Sequence, residues 1–371
     1  MEKNEKARRY EKIKLSLSIG ESILTFLLLI AFVVFGYSVE LRDFVFRIIE
    51  GDYSRFFVYL LIVGAALSIV SLPIDYISGF WLEHHYDLSN QTFAGWLWEK
   101  IKGLLVGLLV LLPVMFIFYY LLRNYPQTWW LWLAGFMFLF SVVLGKIAPL
   151  IIFPLFYKFT LLENEELLKK MQSLAEKGKF ALDGVYRFDL SKTTKKANAA
   201  FTGMGKTKRI ILGDTLLENF TVDEIEAVFA HEVGHYVHKH IYIGIIVSTI
   251  SSFLSFYLAD FFYVKVLPLF SFSNISDPAA LPLLFLILSL ITLIITPFSN
   301  ALSRKHERQA DLYALQNINN PESFKTSMIK LSDLNLSNQE PHPLVEFFFY
   351  SHPSIKKRVA FAENFAGQKQ K

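Results

Sequence analysis

The 371-residue chain contains no cysteine. Disulfides, thiolate metal sites and a cysteine nucleophile are therefore excluded, and histidine and carboxylates remain as the strong metal ligands. Charge is also scarce, at 19% of residues, against about 25% in an average soluble domain. No glycine-rich phosphate loop and no aromatic RNA-binding motif occurs, so nothing supports a nucleotide or nucleic-acid partner. There is no repeat of fixed period and no low-complexity block, which removes solenoids and propellers. The first apolar run is too long for a signal peptide and lacks a small-residue cleavage site, so it is read as a retained helix.

What is abundant is apolar: hydrophobic residues are 53% of the chain, phenylalanine alone numbers 36, and mean hydropathy is +0.37. These residues lie in blocks, and about 20 consecutive apolar residues are needed to cross a bilayer. Six runs qualify: 15–37, 56–81, 104–122, 129–157, 241–262 and 279–298. The fourth is long enough to hold a bend at Lys146 and Pro149, and reads as one span plus an interfacial segment. Lys3, Lys6, Arg8, Arg9, Lys12 and Lys14 precede the first run, whereas the 123–128 connection carries Arg123 alone. The positive-inside tendency then predicts that the N-terminus, residues 158–240 and residues 299–371 face the cytoplasm, in keeping with an even number of spans. The net charge of +4 follows largely from this bias, and the basic end 367–371 reads as solvated or lipid-facing. The expected fold is mainly α, a polytopic membrane bundle of about six spans with a cytoplasmic catalytic part that contains a small β-sheet. Its organisation is four membrane helices in 1–157, a soluble part in 158–240, a membrane hairpin in 241–298 and a second soluble part in 299–371.

In the first soluble part, residues 164–177 place Leu167, Leu168, Met171 and Leu174 on one helical face, and Gly178 ends the pattern. GVYRFDL (184–190) and KRIILGD (208–214) are rich in β-formers and are expected to pair antiparallel, with the 203–205 region as the turn. Thr221 and Glu224 form a capping pattern that opens a helix, which carries AHEVGHYVHKH (230–240) well inside it. NALSRKHERQADLYALQ (300–316) has neither proline nor glycine and predicts a helix that continues the sixth run.

An H-E-x-x-H match arises by chance in about one chain in 80 of this length and composition, so context must decide its meaning. On a helix, His231 and His235 are one turn apart and aim two imidazoles at one ion, at Zn–N distances of about 2.0–2.1 Å. Glu232 is rotated from His231 by roughly 100° and falls beside the water that such an ion would acidify, where it can take the proton. Gly234 leaves room for another element behind the helix. A hydrolytic zinc needs a third protein ligand and an open position. The metzincin continuation would place glycine at 238 and histidine at 241, but these are His238 and Ile241. The third ligand must come from a distant segment. Glu307 is the best candidate, with Asp311 one turn along to accept the outer N–H of a ligating imidazole; His306 is a rival on a neighbouring face. Taken alone, Glu307 and Asp311 read as surface charges paired with Arg304 and Arg308, and His238 and His240 as solvated or interfacial side chains. His84, His85 and His342 have no evident partner. Glu21, Asp75, Lys146 and Asp260, inside the apolar runs, read as a polar interior or as interfacial snorkelling and helix–helix pairs, the latter preferred for Lys146 beside the bend.

HEVGH, followed two runs later by NALSRKHERQAD and preceded by ANAAFTGMGKTKRIILGDTLL, resembles the integral-membrane zinc metalloproteases of the type I CAAX prenyl endopeptidase family. LPIDYISGFWLEHHYDLSNQTF (72–93), IAPLIIFPLFYKFTLLE (147–163) and SHPSIKKR (351–358) are similar to segments of that family in the same order, so the resemblance covers most of the chain. It implies a zincin-like catalytic domain with one zinc ion held by His231, His235 and Glu307, and Glu232 as the catalytic glutamate. It also implies Asn198 at a sheet edge that holds substrate backbone, and His352 and Arg358 as donors that steady the tetrahedral intermediate. Without it, His352 reads as a loop histidine and Arg358 as a surface charge. Eukaryotic members have seven spans around a water-filled chamber; six here point to a bacterial-type member, in the plasma membrane if bacterial and in the endoplasmic reticulum if eukaryotic. The implied activity is zinc-dependent cleavage of membrane-associated peptides and proteins, with isoprenylated CaaX-type chains among the candidate substrates, the bilayer as the other partner, and no nucleic acid. A heat-shock-type quality-control membrane protease is the alternative enzyme, and a metal-binding transporter is the alternative outside enzymes.

Overall fold

A computed structural model describes residues 2–202 and 209–369. Four long helices come first: α1 (Glu2–Val34), α2 (Asp52–Tyr76), α3 (Phe93–Asn124) and α4 (Trp129–Ile147). The soluble stretch that follows carries four short strands, a six-residue helix at Asp214–Asn219 and two longer helices, α5 (Glu165–Lys177) and α6 (Val222–Val237). The chain then returns through α7 (His240–Val266) and α8 (Leu281–Asn317), and ends in α9 (Pro321–Asn335), α10 (Pro343–Phe349) and α11 (Ile355–Lys369). With their continuations, α1–α4, α7 and α8 are the six helices among the described residues that are long and apolar enough to span a bilayer. Their outer faces expose Ile69, Leu109, Leu139, Ile250 and Ile294, an apolar belt that is stable only against lipid. Phe56, Tyr119, Trp129, Tyr263 and Leu284 fill the interior of the bundle at one end. Two ionisable groups inside the runs form helix–helix pairs: Asp75 with Lys100 at 3.0 Å, and Asp260, which accepts from Trp129 Nε1 at 2.6 Å.

Where a bend was expected, at Lys146 and Pro149, the helix widens its turn through Ala148–Ile152 and runs on to Phe156. Pro149 has no N–H to give and its ring crowds the preceding turn, so the hydrogen-bond pattern shifts by one residue and the helix continues.

The sheet departs from the predicted pairing. Strands β1 (Phe159–Leu161), β2 (Gly184–Phe188), β3 (Ala199–Thr202) and β4 (Arg209–Gly213) lie in the order β1-β2-β4-β3. β2 and β4 are parallel, with Val185 opposite Ile210, and the antiparallel partner of β4 is β3, with Ala200 opposite Ile211. The chain leaves β2, turns through Leu190–Lys192, where the Asp214 carboxylate accepts from the Ser191 N–H at 2.8 Å, and comes back on the far side of β4. From that side it reverses into β4, which leaves β4 only a parallel approach to β2. The expected turn at 203–205 lies outside the described residues. β3 forms the edge of the sheet.

The capping box at Thr221 and Glu224 is present in full and starts α6. One face of α6 buries Ile225, Phe229 and Val233 in a core shared with Leu167, Met171 and Leu174 of α5, Leu212 of β4 and Phe324 of α9. α8 has 37 residues, about 55 Å at 1.5 Å per residue. Roughly 20 residues cross the hydrocarbon, so its last turns stand clear of the membrane and cross α6. The crossing is close because Gly234 has no side chain: a Cβ there would lie 2.8 Å from Ala310 Cα and 3.0 Å from its carbonyl oxygen. Gly234→Val should therefore lower the thermal unfolding midpoint of the solubilised protein, with an overpacking cost of about 1–3 kcal/mol. An unchanged midpoint would show that the two helices can separate freely.

Candidate metal centre

The α6–α8 crossing faces His231 and His235 toward Glu307. The two Nε2 atoms are 3.2 Å apart, and the Glu307 carboxylate presents one oxygen to each imidazole, Oε2 to His231 and Oε1 to His235, both at 3.3 Å. Two ligand atoms held about 2.05 Å from a tetrahedral ion are separated by about 3.3 Å, so these spacings fit a single ion. Among the described residues, these are the three whose ligand atoms converge. His306 does not join them; its ring stacks on His240 with centroids 4.1 Å apart.

Three observations test whether the residues suit a divalent cation. Glu307 is 4% exposed, and its Oε2 has no hydrogen-bond donor, a costly state for a buried carboxylate oxygen unless a cation meets it. Each imidazole also has its outer nitrogen occupied, which fixes the tautomer. His231 Nδ1 lies 2.8 Å from Asp311 Oδ1 and donates to it, which leaves the Nε2 lone pair free. The 3.3 Å approach of Arg358 Nη2 to the same Nδ1 joins two donors and is packing rather than a bond. His240 Nε2 donates to Gln309 Oε1 at 3.0 Å, so its Nδ1 accepts from His235 Nδ1, also at 3.0 Å, and the His235 Nε2 lone pair is likewise free. Finally, burial opposes charge on His231, yet Asp311 and Glu307 outweigh it and push its pKa up to about 9. The site favours positive charge between the imidazoles and the carboxylates.

His240 and Gln309 are the residues that sequence reasoning missed. His240 was expected to be solvated or interfacial, but it is buried. The cause is Lys239, in the left-handed region at φ 57°, which ends α6 and restarts the chain as α7, so His240 turns back toward His235. No periodicity in the sequence signals that reversal. His238 remains exposed. His84 has partners too, the carbonyls of Phe80 and Gln91, both at 2.7 Å. Asp311 pairs with neither Arg304 nor Arg308: it takes the Arg358 fork, with Nε at 2.9 Å on one oxygen and Nη2 on the other.

Glu232 is half-buried and lines a cleft of about 470 Å³ together with Asn198, Ala199, His231, His352 and Arg358. His352 is mostly exposed, and its Nε2 lies 3.2 Å from Glu307 Oε1. Asn198 directly precedes the edge strand β3, and its carbonyl accepts from Gly213 N–H at 2.9 Å, which ties it to β4.

Residues 161–366 match the profile of peptidase family M48, and residues 1–158 match the CAAX prenyl protease N-terminal region, described as five membrane helices. The chain belongs to peptidase family M48. Among its relatives, the uncharacterized metalloprotease YhfN of Bacillus subtilis is 33% identical over 96% of this chain and 84% of that protein. CAAX prenyl protease 1 of Saccharomyces cerevisiae is 32% identical over 84% of this chain and 73% of its own length. The crystal structure of S. mikatae Ste24p superposes with a TM-score of 0.86 at 28% identity, covering 98% of this chain and 89% of that one. The M48 chain is thus a multi-pass membrane metalloprotease related to the CAAX prenyl proteases, which decides against the transporter alternative. Within residues 2–158, four helices are of membrane-spanning length; a fifth, Tyr37–Ile48, has 12 residues, about 18 Å, too short to cross.

In this M48 chain Arg358 is 8% exposed and Asp311 is 1% exposed, so removing one partner strands a buried charge. Asp311→Ala should cost about 3–5 kcal/mol, read as a large fall in the unfolding midpoint. A midpoint within a degree of the parent would mean that the pair is hydrated.

Proposed function

We propose that this M48 protein is a zinc-dependent endopeptidase that cuts extended segments of membrane-associated proteins at the cytoplasmic surface. In this reading His231, His235 and Glu307 hold one zinc ion, which supplies a Lewis acid that polarises the scissile carbonyl and acidifies water. The observation that carries it is the near-equilateral set of two nitrogens and one carboxylate, 3.2–3.3 Å on each side, in a cleft that also contains a second glutamate.

The work of the chain's own residues follows. Substrate backbone adds to the free edge of β3 at Asn198, which holds the peptide extended. Glu232 takes the proton of the attacking water and passes it to the departing amine. His352 offers an N–H to the developing oxyanion. Arg358 uses Nε and Nη2 on Asp311 and keeps Nη1 as a donor. Asp311 and His240 hold the two imidazoles in the tautomers that free their Nε2 lone pairs. Residues 158–240 and 299–371 form the catalytic parts. Their cytoplasmic placement is supported by the basic N-terminal turns, which touch them: Lys14 and Lys196 share the Glu83 carboxylate, each at 2.7 Å.

Isoprenylated CaaX-type chains are one substrate class, favoured by the yeast relative's name. Unmodified membrane proteins awaiting quality control are the other. A farnesylated CaaX peptide offered beside its unmodified version separates the two: a strict lipid requirement selects the first, and equal cleavage selects the second. For the mechanism, Glu232→Gln should keep its zinc by elemental analysis while kcat falls by about 10²-fold or more; His235→Ala should lose the metal itself. Cleavage by metal-loaded Glu232→Gln at the parent rate would falsify the role given to Glu232.

A further inference from the structure

A second cavity, of about 320 Å³, shares Arg358 and Pro353 with the substrate cleft but opens among α8, α10 and α11. Five cations line it: Arg304, Lys305 and Arg308 from α8, and Lys357 and Arg358 from α11. Its two carboxylates are already engaged, Asp311 by Arg358 and Glu346 by Lys357 at 2.8 Å. Arg304 donates to the carbonyls of Glu346 at 3.1 Å and Tyr350 at 2.6 Å, which clamps α10 to α8. Lys305 and Arg308, both exposed and about one turn apart, have no carboxylate partner among the described residues. The cavity therefore carries positive charge that the fold leaves uncompensated.

Its depth follows from α8. Leu293, Ile294 and Phe298 are 62–70% exposed, as lipid-facing side chains are. The cations begin about two turns later, and long side chains on a helix lean back toward its N-terminus, here toward the bilayer. A second, independent feature sits at the same level. α10 exposes Leu344, Phe347, Phe348 and Phe349, and Asn300 Nδ2 donates to the Phe348 carbonyl at 2.8 Å, which fixes this apolar face at the end of the span. An exposed apolar helix face beside unpaired Lys and Arg at a membrane boundary is the arrangement that receives an anionic lipid.

We infer that this cavity binds the phosphate headgroup of an anionic glycerophospholipid, with the acyl chains lying along the apolar face of α10. Arginine forks suit phosphate oxygens. A zwitterionic headgroup would bring its own cation into a cavity that is already positive. The cavity adjoins the peptidase machinery through Arg358 and Asp311, but Lys305, Arg308 and the face of α10 have no part in that chemistry, and the inference does not depend on the proposed substrate.

The test uses the full-length protein in detergent, with bound lipid counted by native mass spectrometry and phosphatidylglycerol, phosphatidylcholine and inorganic phosphate as probes. Phosphatidylglycerol should be retained at least 10-fold better than phosphatidylcholine. Lys305→Gln/Arg308→Gln should weaken that retention about 30-fold, from roughly a factor of five per juxtamembrane cation, with the unfolding midpoint unchanged. Lys305→Glu/Arg308→Glu should abolish it. Phe347→Ser/Phe348→Ser should release the lipid while leaving inorganic phosphate binding as it was. Equal retention of the two lipids, or retention insensitive to both charge variants, overturns the inference. Displacement of phosphatidylglycerol by millimolar inorganic phosphate overturns the lipid as occupant.

Discussion

Glycine at position 234 lets α6 and α8 approach until backbone meets backbone at Ala310, and the centre depends on that contact. To hold one ion as proposed, two imidazoles from one helix and a carboxylate from another would have to agree to within a few tenths of an ångström, because a metal's ligand distances vary by only about ±0.2 Å. A methyl group at the crossing would push α8 outward by more than that. The same crossing aligns Asp311 with His231 and Gln309 with His240, so one packing contact sets both the ligand triangle and the groups that orient it.

Orientation is achieved through hydrogen-bond directionality rather than through charge alone. On one side Asp311 is an acceptor held in place by the Arg358 fork, and it draws the His231 proton outward. On the other side a neutral relay from Gln309 through His240 does the same for His235. The two arms differ in cost. The ionic arm is buried and tolerates no missing partner, whereas the neutral arm uses an amide and an imidazole, so losing one partner strands no charge. Both arms include a residue of α8, so the long helix serves as membrane span and as a wall of the candidate metal centre at once.

Much of this was legible in the sequence because it rests on local rules. Apolar run length fixed the six spans, the capping box fixed the start of α6, and the i, i+4 spacings of His231/His235 and Glu307/Asp311 put each pair on one helical face. What failed were inferences about non-local pairing. Adjacent β-rich segments were taken for a hairpin, but β3 intervenes and forces β2 and β4 parallel. His240 read as solvated or interfacial because no local pattern shows that Lys239 takes a left-handed backbone.

Sequence by itself determined that this chain lives in a membrane, that histidines and carboxylates must do any metal chemistry, and which helix faces carry them; each follows from composition and periodicity. Only the tertiary structure decided that Glu307 and not His306 meets the imidazoles, that His240 and Gln309 orient His235, and that Arg358 closes on Asp311 across 47 positions of chain. Those contacts join residues far apart in sequence, and their distances are set by how closely two helices can pack, a quantity no local pattern encodes.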